Sequence, residues 1–166
     1  MSQHLNRRRF LSRGTIGAVG LAIGAAGCSG RGDAASGPFE VRKTPAEWKK
    51  QLGPQRFRIL REAGTETPYT SPLDKEKRRG SFICAGCALP LFASATKFDS
   101  GTGWPSFYAP LPRAVAESRD SQFGIVRREV HCRRCGGHLG HVFEDGPKPT
   151  GLRYCMNGLA LQFRLA

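Results

Sequence analysis

Two tight cysteine pairs constrain this chain more than any other feature. "CAGC" holds Cys84 and Cys87, "CRRC" holds Cys132 and Cys135, and residues 88–131 separate the pairs. A two-residue gap lets one turn aim two thiolates at one ion, and a second such turn completes a tetrahedral shell of four sulfurs for zinc. Gly136 and Gly137 permit a sharp turn whose N–H groups can donate to sulfur, and Arg133 and Arg134 offset the charge of four thiolates. A shell filled by four protein ligands is closed, so one structural zinc per chain is expected. The competing chemistry is a thioredoxin-like dithiol, which belongs at the start of a helix in a βαβ pattern. Both pairs here lie among turns and strand-like segments.

The rest of the chain supports a mainly β domain. Its 166 residues suit one domain plus a tail, and 21 Gly and 11 Pro favour turns and strands over long helices. "GSFIC", "ALPLFA", "FGIVRREVHC", "GHVFE", "LRYCMN" and "LALQFRL" read as short strands separated by glycine-rich turns. Helices are expected only at the domain's start. In "TPAEWKKQLGP", Thr44 caps, Pro45 suits the first helical position, Glu47 completes a capping box and Gly53-Pro54 stops the helix. "QRFRILREAG" reads as a second short helix, with Phe57 and Leu60 on one face and Gly64 after its end. "TETPYTSPLDKEKRRG" reads as loop.

Residues 1–27 read as an address. "NRRRFLSRG" precedes "TIGAVGLAIGAAG", a positive segment before small apolar residues, which is the pattern of a signal peptide. The apolar run is too short for a bilayer span of about 20 residues. Arg7-Arg8-Arg9-Phe10-Leu11 resembles a twin-arginine export signal, and a Sec signal is the alternative. "GAAGCSG" resembles a lipoprotein cleavage box, so Cys28 is expected to carry a lipid or else to leave with the signal. Residues 28–42 read as a flexible tether and residues 43–166 as the functional domain. The expected location is the periplasm or cell envelope.

Charge excludes little. The formal net charge is +13, and the four arginines of residues 1–27 account for part of it. The remaining basic residues are scattered, with no block of five or six, so a nucleic-acid partner is not expected.

One cysteine stands outside the metal account. Cys155, in "GLRYCMN", has no cysteine near it, and His138 and His141 lie upstream in "GGHLGHVFEDGP". Three-residue spacing puts the histidines on opposite faces of a regular strand, but a distortion at Gly140 can bring both toward one pocket. They could polarise a substrate, donate a proton or activate a thiol. "FDSGTGWPSF" adds a stiff loop in which Trp104, held by Pro105, can floor a pocket for a methyl or thioether group. Read singly, each of these residues could equally be core.

Together, "GTGWPSF", "HLGHVFEDGP", "TGLRYCMN" and the two Cys-x-x-Cys turns resemble the B-type methionine sulfoxide reductases, from about Lys43 to the end. The resemblance implies two antiparallel sheets with short N-terminal helices. It implies zinc on Cys84, Cys87, Cys132 and Cys135, and reduction of methionine-R-sulfoxide, protein-bound or free. By it Cys155 is the nucleophile, left as a sulfenic acid. Trp104 would pack on the substrate methyl group and Phe143 would close the apolar side. His138, His141 and Asn157 would hydrogen-bond the sulfoxide oxygen, directly or through water. A thioredoxin-like reductant is the implied partner, and the protein is expected to be a monomer touching a membrane only through a lipid. Two positions depart from the family: Gly158 stands where Ser is common, and Thr102 where many members carry a resolving cysteine. A zinc-ribbon binding module without catalysis is the alternative. It leaves Cys155, both histidines and Trp104 without a role.

Overall fold

A computed structural model describes residues 39–121, 124 and 126–166. The signal and lipidation readings, Cys28 included, and most of the tether lie outside the described residues. Within the described residues no helix is long and apolar enough to cross a membrane.

The domain opens with α1 (Pro45–Arg61), and its capping box is formed: Thr44 Oγ1 accepts from the Glu47 N–H, and the Glu47 carboxylate accepts from the Thr44 N–H. The two helices expected from sequence form one element bent at Gly53, whose φ of 69° and ψ of 172° interrupt the helix before Pro54. Gly64 is not the left-handed residue at the helix end. Ala63 takes that conformation with φ 48°, and the Gly64 N–H donates to Arg58 O at 3.0 Å. A Cβ at position 64 would stand 2.9 Å from that same oxygen, so glycine is needed here for close approach. In the segment read as loop, Pro72–Lys75 forms a 3-10 turn capped by Ser71.

Nine strands follow among the described residues. A three-stranded sheet takes β1 (Gly80–Cys84), β2 (Pro90–Ala93) and β9 (Leu161–Leu165) in the order β2-β1-β9. A six-stranded sheet takes β3 (Lys97–Phe98), β4 (Ser106–Phe107), β5 (Val115–Asp120), β6 (Arg127–Cys132), β7 (His138–Phe143) and β8 (Arg153–Met156), in the order β3-β4-β8-β7-β6-β5. All pairings are antiparallel. β3, β4 and β5 were not expected from sequence.

Aromatic side chains from the two sheets meet in the core. Phe82 on β1 and Phe92 on β2 pack on Phe107 of β4, with ring centroids 4.9 and 4.3 Å apart, and all three are fully buried. Val142 and Tyr154 join the same cluster. Each large side chain buried this way contributes roughly 1.5–3 kcal/mol. Strand alternation then turns His141, Phe143, Arg153 and Cys155 toward the opposite face of the larger sheet.

Candidate active site and metal centre

The four pair cysteines converge. Cys84 ends β1 and Cys132 ends β6, while Cys87 and Cys135 lie in the turns that follow. Their sulfurs all lie within 4.8 Å of one another, with Cys84 and Cys135 at 3.7 Å and Cys87 and Cys132 at 3.5 Å. Zinc–sulfur bonds of 2.3 Å in a tetrahedron put sulfurs about 3.8 Å apart, so the donor set fits one zinc ion with small adjustment. All four are free thiols, three of them buried. Backbone N–H groups that bond to sulfur come from the first pair's turn, Gly86 at 3.3 Å from Cys84 Sγ and Leu89 on Cys87. Arg134 lies at the site, donating to Cys87 O at 3.4 Å. α1 covers the centre: Gln51 donates to Gly86 O, and Arg61, stacked on Trp48, donates to Cys135 O. The metal therefore pins the smaller sheet to the larger one beneath the helix.

Cys155 belongs to another part of the larger sheet. In register its neighbours are Ser106 on β4 and His141 on β7; His141 in turn faces Glu129 on β6, and Glu129 faces Ser118 on β5. One row of five polar side chains thus crosses five strands. A bulge in the β6–β7 pairing, between Val130 and His131, makes Leu139 the extra residue. It brings the His138 and His141 rings together at 5.4 Å between centroids. Gly140 lets β8 come close there, since a Cβ on it would stand 2.1 Å from Cys155 O.

Carboxylates fix both imidazoles. His141 Nε2 lies 2.7 Å from Asp120 Oδ2, and His138 Nδ1 lies 2.7 Å from Glu129 Oε1. A carboxylate only accepts, so those nitrogens carry protons, and the neutral His141 ring keeps a lone pair on Nδ1. Asp120 also accepts from Arg127 Nη2 at 2.7 Å, and Glu129 from Ser118 Oγ at 2.6 Å. Burial holds the His141 imidazole below its ordinary pKa, opposed by the bond to Asp120 and aided by the charge of Arg127. Burial works to raise Glu129, but the bonds from His138 and Ser118 prevail and hold it low.

Burial pushes the half-buried Cys155 thiol up, while Thr102, Arg153 and Ser106 pull it down. Arg153 is oriented by two bonds to Asp145 at 2.8 Å each, with its guanidinium 4.4 Å from the Phe143 ring centroid. One face of Phe143 is therefore taken by Arg153. Thr102 Oγ1 lies 3.8 Å from Cys155 Sγ, so the loop of residues 99–104 does reach the thiol. Trp104, half-buried on that loop, donates from Nε1 to Glu66 O at 3.2 Å.

Asn157 stands apart from the other expected residues. Its Oδ1 accepts from Glu66 N at 2.9 Å and its Nδ2 donates to Leu139 O at 3.1 Å and Gly64 O at 3.5 Å. In the resting site the Asn157 amide bonds to backbone on both sides, bracing the turn after Cys155. The Gly158 departure has a steric reason, because Ser71 Oγ would lie 1.9 Å from a Cβ there. Sequence reading missed Asp120, Glu129, Ser106 and Glu66. Strand pairing brings Asp120 and Glu129 in and no local motif marks them, whereas Ser106 stands within "GTGWPSF" and Glu66 arrives on the loop after α1.

Comparison with known proteins agrees with this geometry. The SelR domain model matches residues 52–165. The chain is 55% identical over 125 residues to the peptide methionine sulfoxide reductase MsrB of Agrobacterium fabrum, covering 75% of this chain and 93% of that protein. It is 51% identical over 127 residues to that of Leptospira interrogans, covering 76% and 97%. To that of Pseudomonas putida strain W619 it is 52% identical over 126 residues, covering 75% and 95%.

Proposed function

The chain belongs to the SelR-domain family, the B-type peptide methionine sulfoxide reductases, and we infer from this that it reduces methionine-R-sulfoxide to methionine through Cys155. The observation that carries the assignment of roles is the row Ser106–Cys155–His141, with the Trp104 loop folded against the thiol.

The resting pair is a thiol and a neutral imidazole, since burial raises Cys155 and lowers His141. With Nε2 donating to Asp120, His141 has a lone pair on Nδ1 that can take the thiol proton. Asp120 then stabilises the imidazolium. The Cys155 thiolate attacks the sulfoxide sulfur, and oxygen passes from the methionine sulfur to the cysteine sulfur. Methionine is reduced by two electrons and Cys155 is oxidised to sulfenic acid. The proton returns from His141 to that oxygen. Trp104 packs on the methyl group and selects the R epimer, and Arg153 supplies fixed positive charge.

Cys84, Cys87, Cys132 and Cys135 hold one structural zinc, and the SelR domain is catalytic rather than a ribbon for binding alone. No resolving thiol stands at position 102. An external thiol attacks the sulfenic acid, releasing water and forming a mixed disulfide, and a second thiol releases Cys155. We assign that role to a thioredoxin-like donor outside the cytoplasm. The protein acts as a monomer, exported through its twin-arginine-like signal to the periplasm or envelope and tethered there if Cys28 is lipidated.

Incubating the mature domain with R- and S-sulfoxides of a blocked methionine and dithiothreitol tests this. Methionine should form from the R epimer alone, and Cys155→Ser should abolish it. Failure to consume either epimer would overturn the assignment.

A further inference from the structure

Three hydroxyls beside Cys155 have no role in the scheme above. Thr102 Oγ1 lies 3.8 Å from Cys155 Sγ and 2.8 Å from Ser100 Oγ, which lies 2.7 Å from Ser106 Oγ. Ser106 is fully buried and donates to Trp104 O at 3.1 Å.

Each hydroxyl has one proton and two lone pairs, so the direction of this chain can be counted out. A carbonyl oxygen only accepts, so the Ser106 proton goes to Trp104 O. Ser106 then accepts from Ser100, which uses the only proton Ser100 has. Ser100 can only accept from its other neighbours, the Thr102 N–H at 3.5 Å and the Thr102 hydroxyl. Ser106 also lies beside the sulfur, but its proton is held by Trp104 O, so within this chain the Thr102 proton is the one left to turn. It points to Ser100 or to the Cys155 sulfur.

The state of the sulfur decides which. A Cys155 thiol can donate to Thr102 Oγ1 while Thr102 donates to Ser100. A thiolate has no proton, and rotation about one C–O bond turns the Thr102 hydroxyl onto it. Ser100 still keeps the Thr102 N–H. A hydrogen bond to the charged form favours that form. The Thr102 hydroxyl is among the interactions that pull the half-buried Cys155 thiol down, with the charge and hydrogen bond of Arg153 and the hydroxyl of Ser106.

We propose that Thr102 is a positioning residue for Cys155, its hydroxyl turning to the sulfur to hold the thiolate before attack and the sulfenic acid after it. The proposal rests on the reading of Cys155 as nucleophile. Thr102 keeps its own proton throughout, so the atom and electron balance of the reaction is unchanged. The residue that replaces the usual resolving cysteine thus supports the first half of the cycle instead of the second.

Other groups face the same sulfur or its loop. Arg153 lies on β8 with Asp145 behind it, and His141 lies across on β7 with Asp120 and His138 beside it. Asp99, on the Thr102 loop, accepts from Gly101 N and pairs with Lys75. These charges are common to all Thr102 variants, so comparing variants isolates the hydroxyl.

The test is the pH dependence of Cys155 alkylation by iodoacetamide in the zinc-loaded full chain, read by peptide mass spectrometry. Thr102→Val, which keeps the shape, should move the midpoint up by about one pH unit, an effect of the size expected for a lost hydrogen bond to the charged form. Thr102→Ser should restore the wild-type profile. If the Val and wild-type profiles coincide, or Ser shifts as far as Val, the proposal is wrong. Turnover by Cys155→Ser would instead remove the premise. An unmoved Thr102→Val profile with Cys155 still essential would overturn this proposal alone.

Discussion

Glu66 and Asn157 interlock through the interior. The Glu66 N–H donates to Asn157 Oδ1 at 2.9 Å, and the Glu66 carboxylate accepts from the N–H groups of Gly158 and Leu159, next in the chain after Asn157. The Glu66 carbonyl meanwhile accepts from Trp104 Nε1. One residue therefore ties together the loop after α1, the aromatic wall and the turn that follows Cys155.

Removing the Glu66 side chain should expose how much that tie contributes. Glu66→Ala leaves two buried N–H groups without acceptors and should cost about 2 kcal/mol or more. Glu66→Gln keeps one acceptor and should fall between Ala and wild type. Urea unfolding of the zinc-loaded domain measures the order, and an Ala variant as stable as wild type would contradict it.

Zinc should be inseparable from the fold, because Cys84 and Cys132 end strands of different sheets. Cys84→Ser or Cys132→Ser should lose the metal and several kcal/mol of stability, since site formation and folding are coupled. Metal analysis and thermal melts check this. Purified protein with two disulfides in place of one zinc would refute it.

The parts of this molecule legible in sequence are those with local causes. The Thr44 cap, β1, β7, β8 and β9 follow from capping chemistry and apolar patterning. β5 lacks that pattern because charge pairs with β6 hold it, Arg128 with Glu117 at 2.6 Å and Arg127 with Asp120 at 2.7 Å. β3 and β4 are two residues long, too short for any period to show. The site divides the same way. Cys155, both histidines, Trp104, Ser106 and Asn157 stand in recognisable motifs, whereas Asp120 and Glu129 arrive through pairing across the sheet, and the bonds of the Asn157 amide follow from where Glu66 folds.

Acid should act through Glu129. Its folded pKa is held below 4.5, so it contributes stability fully above that pH and loses it as pH falls through the lower, folded value. Glu66 has the opposite sign: burial raises its pKa, so its contribution is present below 4.5 and fades as pH rises through the folded value. Glu129→Gln should flatten the acid limb of a stability–pH curve. An unchanged limb would show that other carboxylates govern acid unfolding.

Proton transfer and methyl recognition should separate in the pocket variants. His141→Ala should slow single-turnover reduction by about 10²-fold or more, as expected for loss of a general acid–base group. Trp104→Ala should impair use of the R-sulfoxide far more than stability, since its ring is half-buried and its Nε1 donates only to a backbone carbonyl, Glu66 O, among the described residues. Unchanged single-turnover rates in both would return these residues to a packing role.

Regeneration supplies the last prediction. Thr102 Oγ1 and Cys155 Sγ are 3.8 Å apart, so a sulfur at position 102 needs to close by less than 2 Å to reach disulfide length. The wild-type chain has no thiol there, and its other described cysteines cluster at the metal site. After one equivalent of sulfoxide without reductant, wild-type protein should carry a sulfenic acid on Cys155 that a dione reagent traps. Thr102→Cys should instead form a disulfide with Cys155 and lose two thiols per turnover. A wild-type disulfide from Cys155 to any cysteine of the chain would show that a resolving thiol comes from elsewhere in the molecule and would end the one-cysteine scheme.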